Sequence, residues 1–287
     1  RRMTGTNGGD LCFRVRKSPS RDGSCSYGVT SLAEIPVLIF CAANSRRFSE
    51  IAERHGLKYG AQLPGKVNHP PLYFADQDFK KPNRAKYMTA LAEHRPVIAS
   101  VLDWEREDQY TEVMSWAEEA SQYVQEAVII IPKVKGTIRR IPKQINGKQV
   151  RLGYSTPTEY AGTKVGIWEF QGWSVHCLGG SPKAQRWVHN AVGCDSVDGN
   201  HLKRLAGNNQ FFCPMGFPAS NPLYPTLYEA GIVIEGDAPY LAFELSMIAY
   251  PLYWQGVDGA TIADLQLQFI RDKFGESAIT AHMARLF

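Results

Sequence analysis

The run AVIIIPK at residues 127–133 is the strongest constraint on how this chain can fold. It offers no alternate polar positions to turn toward water, so a strand built from it must be covered on both faces, as in a parallel sheet flanked by helices. Shorter apolar runs recur along the chain at PVLIFCAA (36–43), PLYFAD (71–76), PVIASVLDW (96–104), VRLGYS (150–155), SVHCLG (174–179) and CDSVD (194–198), with VGIWEF (165–170) as a further strand candidate. Amphipathic stretches separate several of them. Asn44 or Ser45 can cap a helix running to His55 before Gly56, and helical spacing continues over 83–94 and from about Asp108 to Glu126. Ser181 and Pro182 suit the N-cap and first turn of another helix, and Gly193 suits its end. After a Pro-rich, aromatic linker (211–228), two more helices are expected from Tyr240 to about Trp254 and from Thr261 to Phe274.

This alternation predicts an α/β fold. About eight strands point to a (β/α)8 TIM-type barrel, irregular where the fifth and sixth units lack clear helices, with C-terminal helices closing or flanking it. At 287 residues and 44% hydrophobic, the chain can bury such a core as one domain. Residues 33–287 are expected to be that domain, and the Arg-, Ser- and Gly-rich residues 1–32 a disordered tail or start-site artefact. The six cysteines (Cys12, Cys25, Cys41, Cys177, Cys194, Cys213) show neither a CxxC pair nor a tight Cys/His cluster, which argues against a disulfide framework or a zinc knuckle. No apolar run approaches the roughly 20 residues that span a bilayer, and no signal-peptide core is evident, so a cytoplasmic location is expected.

Net charge is only +4, but its distribution is uneven. Lys133, Lys135, Arg139, Arg140, Lys143, Lys148 and Arg151 occur without an intervening acid, around a turn at Asn146-Gly147. Such a hairpin is either a solvated surface or a phosphate-binding one.

The strand ends hold the chemistry. They carry Asp76, Asp103 with Glu105, Lys133, Tyr154 with Ser155, and the pair Asp195 and Asp198. In a barrel the C-terminal strand ends meet at one mouth, which would bring three carboxylates and a lysine from distant segments together. Like charges held close raise at least one proton affinity, separating a nucleophile from an acid or base. Any one of these aspartates alone could equally be a helix cap. His176 reads as a core histidine, His189 and His201 have no partner at metal-ligand spacing, and no GxSxG elbow is present. Cys41, Cys177 and Cys194 lie in apolar runs that favour inert thiols. The Gly179-Gly180-Ser181 turn could hold an anion on backbone amides, but it is too short for a dinucleotide fingerprint.

The segment LGGSPKAQRWVHNAVGCDSVDGN (178–200), with LYFAD ending at Asp76, Phe79 shortly after it, and SVLDWE around Asp103, resembles the tRNA-guanine transglycosylase superfamily over residues 34–206. Gln77-Asp78 stands where that family has Ser-Gly-Gly, and its zinc subdomain is missing. The compact length and the VHCLGGSP and RLGYSTPTEY wording are similar to its DpdA-like branch, which inserts 7-deazaguanine bases into DNA and occurs in phages and bacterial modification or defence islands. The resemblance implies Asp198 as nucleophile, with Asp195 in a supporting or structural role, and Asp76 as the second active-site acid. It places Asp103 and Lys133 against the base, Gly153 and Tyr154 where the backbone closes on it, and Gly179 and Gly180 at the same pocket.

An aspartate would attack the anomeric carbon while guanine leaves, as in retaining glycosidases. A flipped base needs stacking partners, for which Phe79, Tyr154 and Trp104 are candidates, and Lys135, Arg139, Arg140, Lys143, Lys148 and Arg151 would hold phosphates. The implied partners are DNA, a free 7-deazaguanine base as co-substrate, and proteins of a DNA-modification or defence cluster, with no cofactor and no metal. Three alternatives stand beside this reading. One is a glycosylase that excises bases from modified phage DNA and leaves abasic sites, another a non-catalytic nucleic-acid-binding protein, and the third a barrel enzyme acting on a small sugar or nucleoside.

Overall fold

The computed structural model describes residues 35–41, 46–157, 162–214, 224–230, 232, 237–275 and 278. Its centre is a closed barrel of eight parallel strands: β1 (Val37–Cys41), β2 (Lys58–Leu63), β3 (Phe74–Gln77), β4 (Ile98–Ser100), β5 (Ala127–Ile130), β7 (Lys148–Ser155), β8 (Val175–Leu178) and β9 (Ser196–Gly199). The two-residue β6 (Gln144–Ile145) is the antiparallel arm of the hairpin that leads into β7. Neighbours around the barrel follow chain order, and β9 closes it on β1 with Val37 opposite Ser196 and Ile39 opposite Asp198. This is a TIM-type α/β barrel.

β5 shows why its run is continuous. Ala127, Ile129 and Ile131 point into the barrel with Ile39, Phe74 and Ile98, while Val128 and Ile130 face the helical layer. Both faces are therefore dry. The helices on the strands are α1 (Arg46–Arg54), α2 (Arg84–His94), α3 (Tyr110–Ala120), α4 (Pro182–Val192) and α5 (His201–Gly207). Ser181 Oγ accepts the Ala184 N–H at the start of α4, and the chain leaves that helix at Gly193 with φ +71°. Asn83 caps α2 by accepting the Lys86 N–H at 3.1 Å. The expected caps of α1, Asn44 and Ser45, lie outside the described residues.

The strand at KYGAQL (β2) was not among the expected ones, and VGIWEF is not a strand. Gly60 interrupts β2's apolar pattern because a side chain there would crowd the interior: a Cβ would come within 3.0 Å of Ile39 Cγ2. Residues Ile167–Phe170 form a 3-10 turn instead. Ile167 and Phe170, three apart, enter the core while Trp168 is 65% exposed, a period of three rather than two. α3 is shorter than the expected 108–126, because a turn after Ala120 lets Gln125 and Glu126 donate to the carbonyls of Pro96 and Val97 as the chain enters β5.

Beyond the barrel, α6 (Ala238–Trp254) is apolar around most of its circumference and packs against α1, α5 and α7 (Gly259–Phe274). Its buried Glu244 is paired with Arg54 at 2.9 Å and Lys273 at 2.8 Å. No helix among the described residues is long and apolar enough to cross a membrane.

Candidate active site

Strand alternation in a barrel stacks inward-facing side chains in layers. The uppermost layer, at the C-terminal strand ends, contains Cys41, Asp76, Ser100, Ile131, Ser155, Leu178 and Asp198, and these line a cavity of about 230 Å3 together with Phe79, Asp103, Lys133, Gly179 and Gly180. Asp76, Asp103, Lys133 and Asp198 thus meet at one mouth from four separate segments.

Asp76 lies half-buried near the end of β3. Burial, and next the negative charge of Asp198, push its carboxyl up to about 8, against the opposing pull of a hydrogen bond from Ser100. The Ser100 hydroxyl donates to Asp76 Oδ1 at 2.9 Å and accepts the Gln77 N–H at 2.8 Å. Asp76 is therefore protonated at neutral pH and can give a proton away.

Asp198 is surrounded differently. Its Oδ1 accepts the Gly179 N–H at 3.2 Å and lies 3.2 Å from His176 Nε2. The anion received by the glycine turn before α4 is thus the protein's own carboxylate. Among the described residues, Oδ2 of Asp198 has no hydrogen-bond partner and is left for chemistry. Gln185 holds the backbone from behind, with its amide donating to Asp198 O at 2.8 Å and Gly179 O at 3.1 Å and accepting from Tyr250 at 2.6 Å. Gly180, at φ +89°, admits no side chain because a Cβ would fall 2.9 Å from Thr156 Cγ2.

Asp103 and Lys133 form an ion pair of 2.5 Å on the cavity wall, with Glu105 3.4 Å from the same ammonium. Burial raises the Asp103 carboxyl, and the Lys133 bond and charge partly offset that rise. Cys41 also faces the cavity, but burial and then the charges of Asp198 and Asp76 hold its thiol well above its ordinary value. It is not a thiolate nucleophile. Among the described residues, no three His, Cys, Asp or Glu side chains gather as a metal site requires.

Several expected contacts fall elsewhere. Tyr154 points outward into the helical layer, 5.2 Å from the Phe170 ring, because its neighbours Gly153 and Ser155 take the inward positions of β7. Gly153 lies beneath the floor, where a Cβ would come within 2.6 Å of Ile131 Cγ1 and 2.7 Å of Leu178 Cδ1. Trp104 is fully buried and donates to Arg106 O. Only Phe79 of the three stacking candidates reaches the cavity, where it is 48% exposed.

The basic run is split by the fold. Lys135 follows the mouth end of β5, Arg139 is exposed in the short turn beyond, and Arg140 lies over the Tyr110 ring at 4.3 Å. Lys143 and Lys148 donate to Gly172 O and Gln125 O, which precede β8 and β5 at the opposite end of the barrel. Arg151 is buried inside the barrel and donates to Ser196, so it is not a surface phosphate contact. Asp195 sits at the entry to β9, bonded by Ser174, and plays a structural part far from the mouth. Ser100, Gln185 and Tyr250 escaped sequence reasoning. Ser100 follows strand alternation from Ile98, but nothing local marks Gln185 or Tyr250, whose value lies in joining α4 and α6 to β9.

The fold and the mouth define an α/β barrel protein with a carboxylate-lined site at its C-terminal strand ends. The chain belongs to DUF6610, a family of unknown function, which matches residues 54–232 and so takes in Asp76, Asp103, Lys133 and Asp198. Nothing among curated proteins matches it.

Proposed function

We propose that this barrel is a glycosyl-transfer enzyme that exchanges a base in DNA, removing guanine and installing a 7-deazaguanine through a covalent intermediate on Asp198. The observation that carries the reading is the pair of carboxyls in different surroundings at one cavity, Asp76 bonded by Ser100 and held up to about 8 by burial and then by the charge of Asp198, and Asp198 bonded through Oδ1 to the Gly179 N–H. Retaining glycosyl transfer needs this division, with one oxygen to bond to the anomeric carbon and one proton for the departing group.

In the first half-reaction Asp198 Oδ2 bonds to the anomeric carbon as the bond from carbon to base nitrogen breaks, and Asp76 protonates the base. The incoming base then gives its proton to Asp76 and attacks the same carbon, and Asp198 leaves as carboxylate. Two inversions retain the sugar configuration. The Asp103–Lys133 pair offers an acceptor beside a donor for a base edge, and half-exposed Phe79 can stack on the ring.

Trapping tests this directly. The wild-type protein, DNA and a 7-deazaguanine base should give a covalent protein–DNA adduct and, on nucleoside mass spectrometry, an exchanged base. Asp198→Asn should give neither, and adduct surviving that change refutes the assignment. Abasic sites accumulating with DNA alone would instead indicate excision, with water resolving the intermediate.

A further inference from the structure

Below the cavity the barrel interior is not uniformly apolar. His176 and Ser196 are completely buried, and Arg151 is 8% exposed. Their strands place them in one column, since β8 and β9 align His176 with Ser196, and β7 and β8 align Gly153 with His176. Arg151 Nη1 donates to Ser196 Oγ at 3.1 Å, Ser196 Oγ lies 2.8 Å from His176 Nδ1, and His176 Nε2 lies 3.2 Å from Asp198 Oδ1. At the lower end Arg151 Nη2 lies 3.7 Å from Glu126. The Phe74 ring packs 4.7 Å from the imidazole.

The chemistry of each group sets the donors at the two ends of the column and leaves Ser196 able to donate at its centre. A guanidinium can only donate, so Ser196 Oγ accepts from Arg151, and its own proton is free for His176 Nδ1. An ionised Asp198 can only accept, so Nε2 must carry a proton. With Nδ1 accepting, the imidazole is the Nε2–H tautomer, and every bond in the column points toward the mouth. A buried charge requires compensation, and this column is what connects Asp198 to the Arg151 guanidinium.

We propose that Arg151, Ser196 and His176 are positioning residues that orient and electrostatically support Asp198 through a one-way chain of hydrogen bonds, with Arg151 as the counter-charge two residues removed. No proton travels along it; its work is to hold Oδ1 and leave Oδ2 aimed at the cavity. The consequence for rate rests on the nucleophile role given to Asp198, whereas the tautomer does not.

The experiment uses the full chain in two arms. The first labels histidine nitrogens and reads the His176 tautomer by NMR. Nε2–H with an unprotonated Nδ1 is expected, and Ser196→Ala should lose that single tautomer. An Nδ1–H or doubly protonated ring in the wild type overturns the proposal. The second measures adduct formation and DNA affinity for Ser196→Ala, His176→Leu and His176→Gln, whose amide can place an N–H near the position of Nε2. Ser196→Ala should slow trapping about tenfold at unchanged DNA affinity. His176→Leu should lose more, and His176→Gln should recover part of it. Equal trapping rates in His176→Gln and His176→Leu, at equal thermal stability, overturn the proposal. If the expected tautomer is found but no variant or wild type forms an adduct, it is the base-exchange reading that fails.

Discussion

The Ser100 hydroxyl donates to Asp76 Oδ1 across 2.9 Å, and this bond opposes the burial that lifts the same carboxyl to about 8. In the proposed reaction Asp76 acts as an acid only while protonated, so kcat/KM for exchange should fall as pH rises through about 8. Ser100→Ala removes a bond that favours the charged form, so the carboxyl rises further and the alkaline limb should move to higher pH by roughly one unit. A pH–rate profile of both proteins checks this. A limb moving toward lower pH would contradict the role of Ser100.

The same elevated carboxyl predicts a stability cost. Asp76 is raised above its ordinary value of 3.8, so between that value and about 8 the folded chain binds a proton that the unfolded chain has released. Its contribution to stability is full below pH 3.8 and declines as pH climbs through that window. Asp76→Asn keeps an acceptor for Ser100 and cannot ionise. At about pH 8.5 it should be more stable than wild type by roughly 1–3 kcal/mol, cavity water screening part of the effect, with the gain vanishing below about pH 4. Denaturant unfolding at the two pH values measures the difference. The variant should be inactive, as expected when a site sacrifices stability for function.

Much of the barrel was legible in the sequence because period two and period 3.6 leave different marks. The β5 run, the Ser181 cap, the helical spacing over 83–94 and the Asn146-Gly147 hairpin turn all lie where local chemistry puts them. β2 was missed because closure of the barrel, not local preference, demands Gly60. The carboxylates could be read from strand ends, since each needs only its own strand. Tyr154 and Arg151 could not be placed from proximity in sequence, because one step along β7 reverses inside and outside. His176 was expected to be a satisfied core residue, and it is hydrogen-bonded and buried, but its partners come from the next strand in space.

Asp103 and Lys133 should behave as a coupled unit. Lys133→Met leaves the Asp103 carboxyl with burial and, after it, the Glu105 charge, both of which raise its proton affinity, and on the proposed reading it should weaken binding of the incoming base about 10- to 100-fold. Asp103→Asn keeps an acceptor for the ammonium but removes the negative charge 2.5 Å from it, although Glu105 remains 3.4 Å away. The double variant should be less destabilised than the sum of the single changes, by about 1–2 kcal/mol. Thermal and denaturant unfolding of the four proteins closes the cycle, and strict additivity would mean that the pair is not coupled.

The division of the basic run gives the sharpest test of how nucleic acid would approach. Lys135 and Arg139 are exposed on the stretch that leaves the mouth, whereas Lys143 and Lys148 are tied to carbonyls at the far end of the barrel. DNA presented to the cavity would meet the first pair and not the second. Lys135→Glu and Arg139→Glu should each lower DNA affinity and flatten the dependence of log affinity on log salt by about 0.9 for each phosphate that is no longer neutralised. Lys143→Glu and Lys148→Glu should leave both quantities unchanged, with any loss confined to stability. Titrations over a range of salt concentrations measure the slopes. A larger effect from the far pair would mean that the DNA lies across the opposite face, and base exchange at the mouth would then be geometrically excluded.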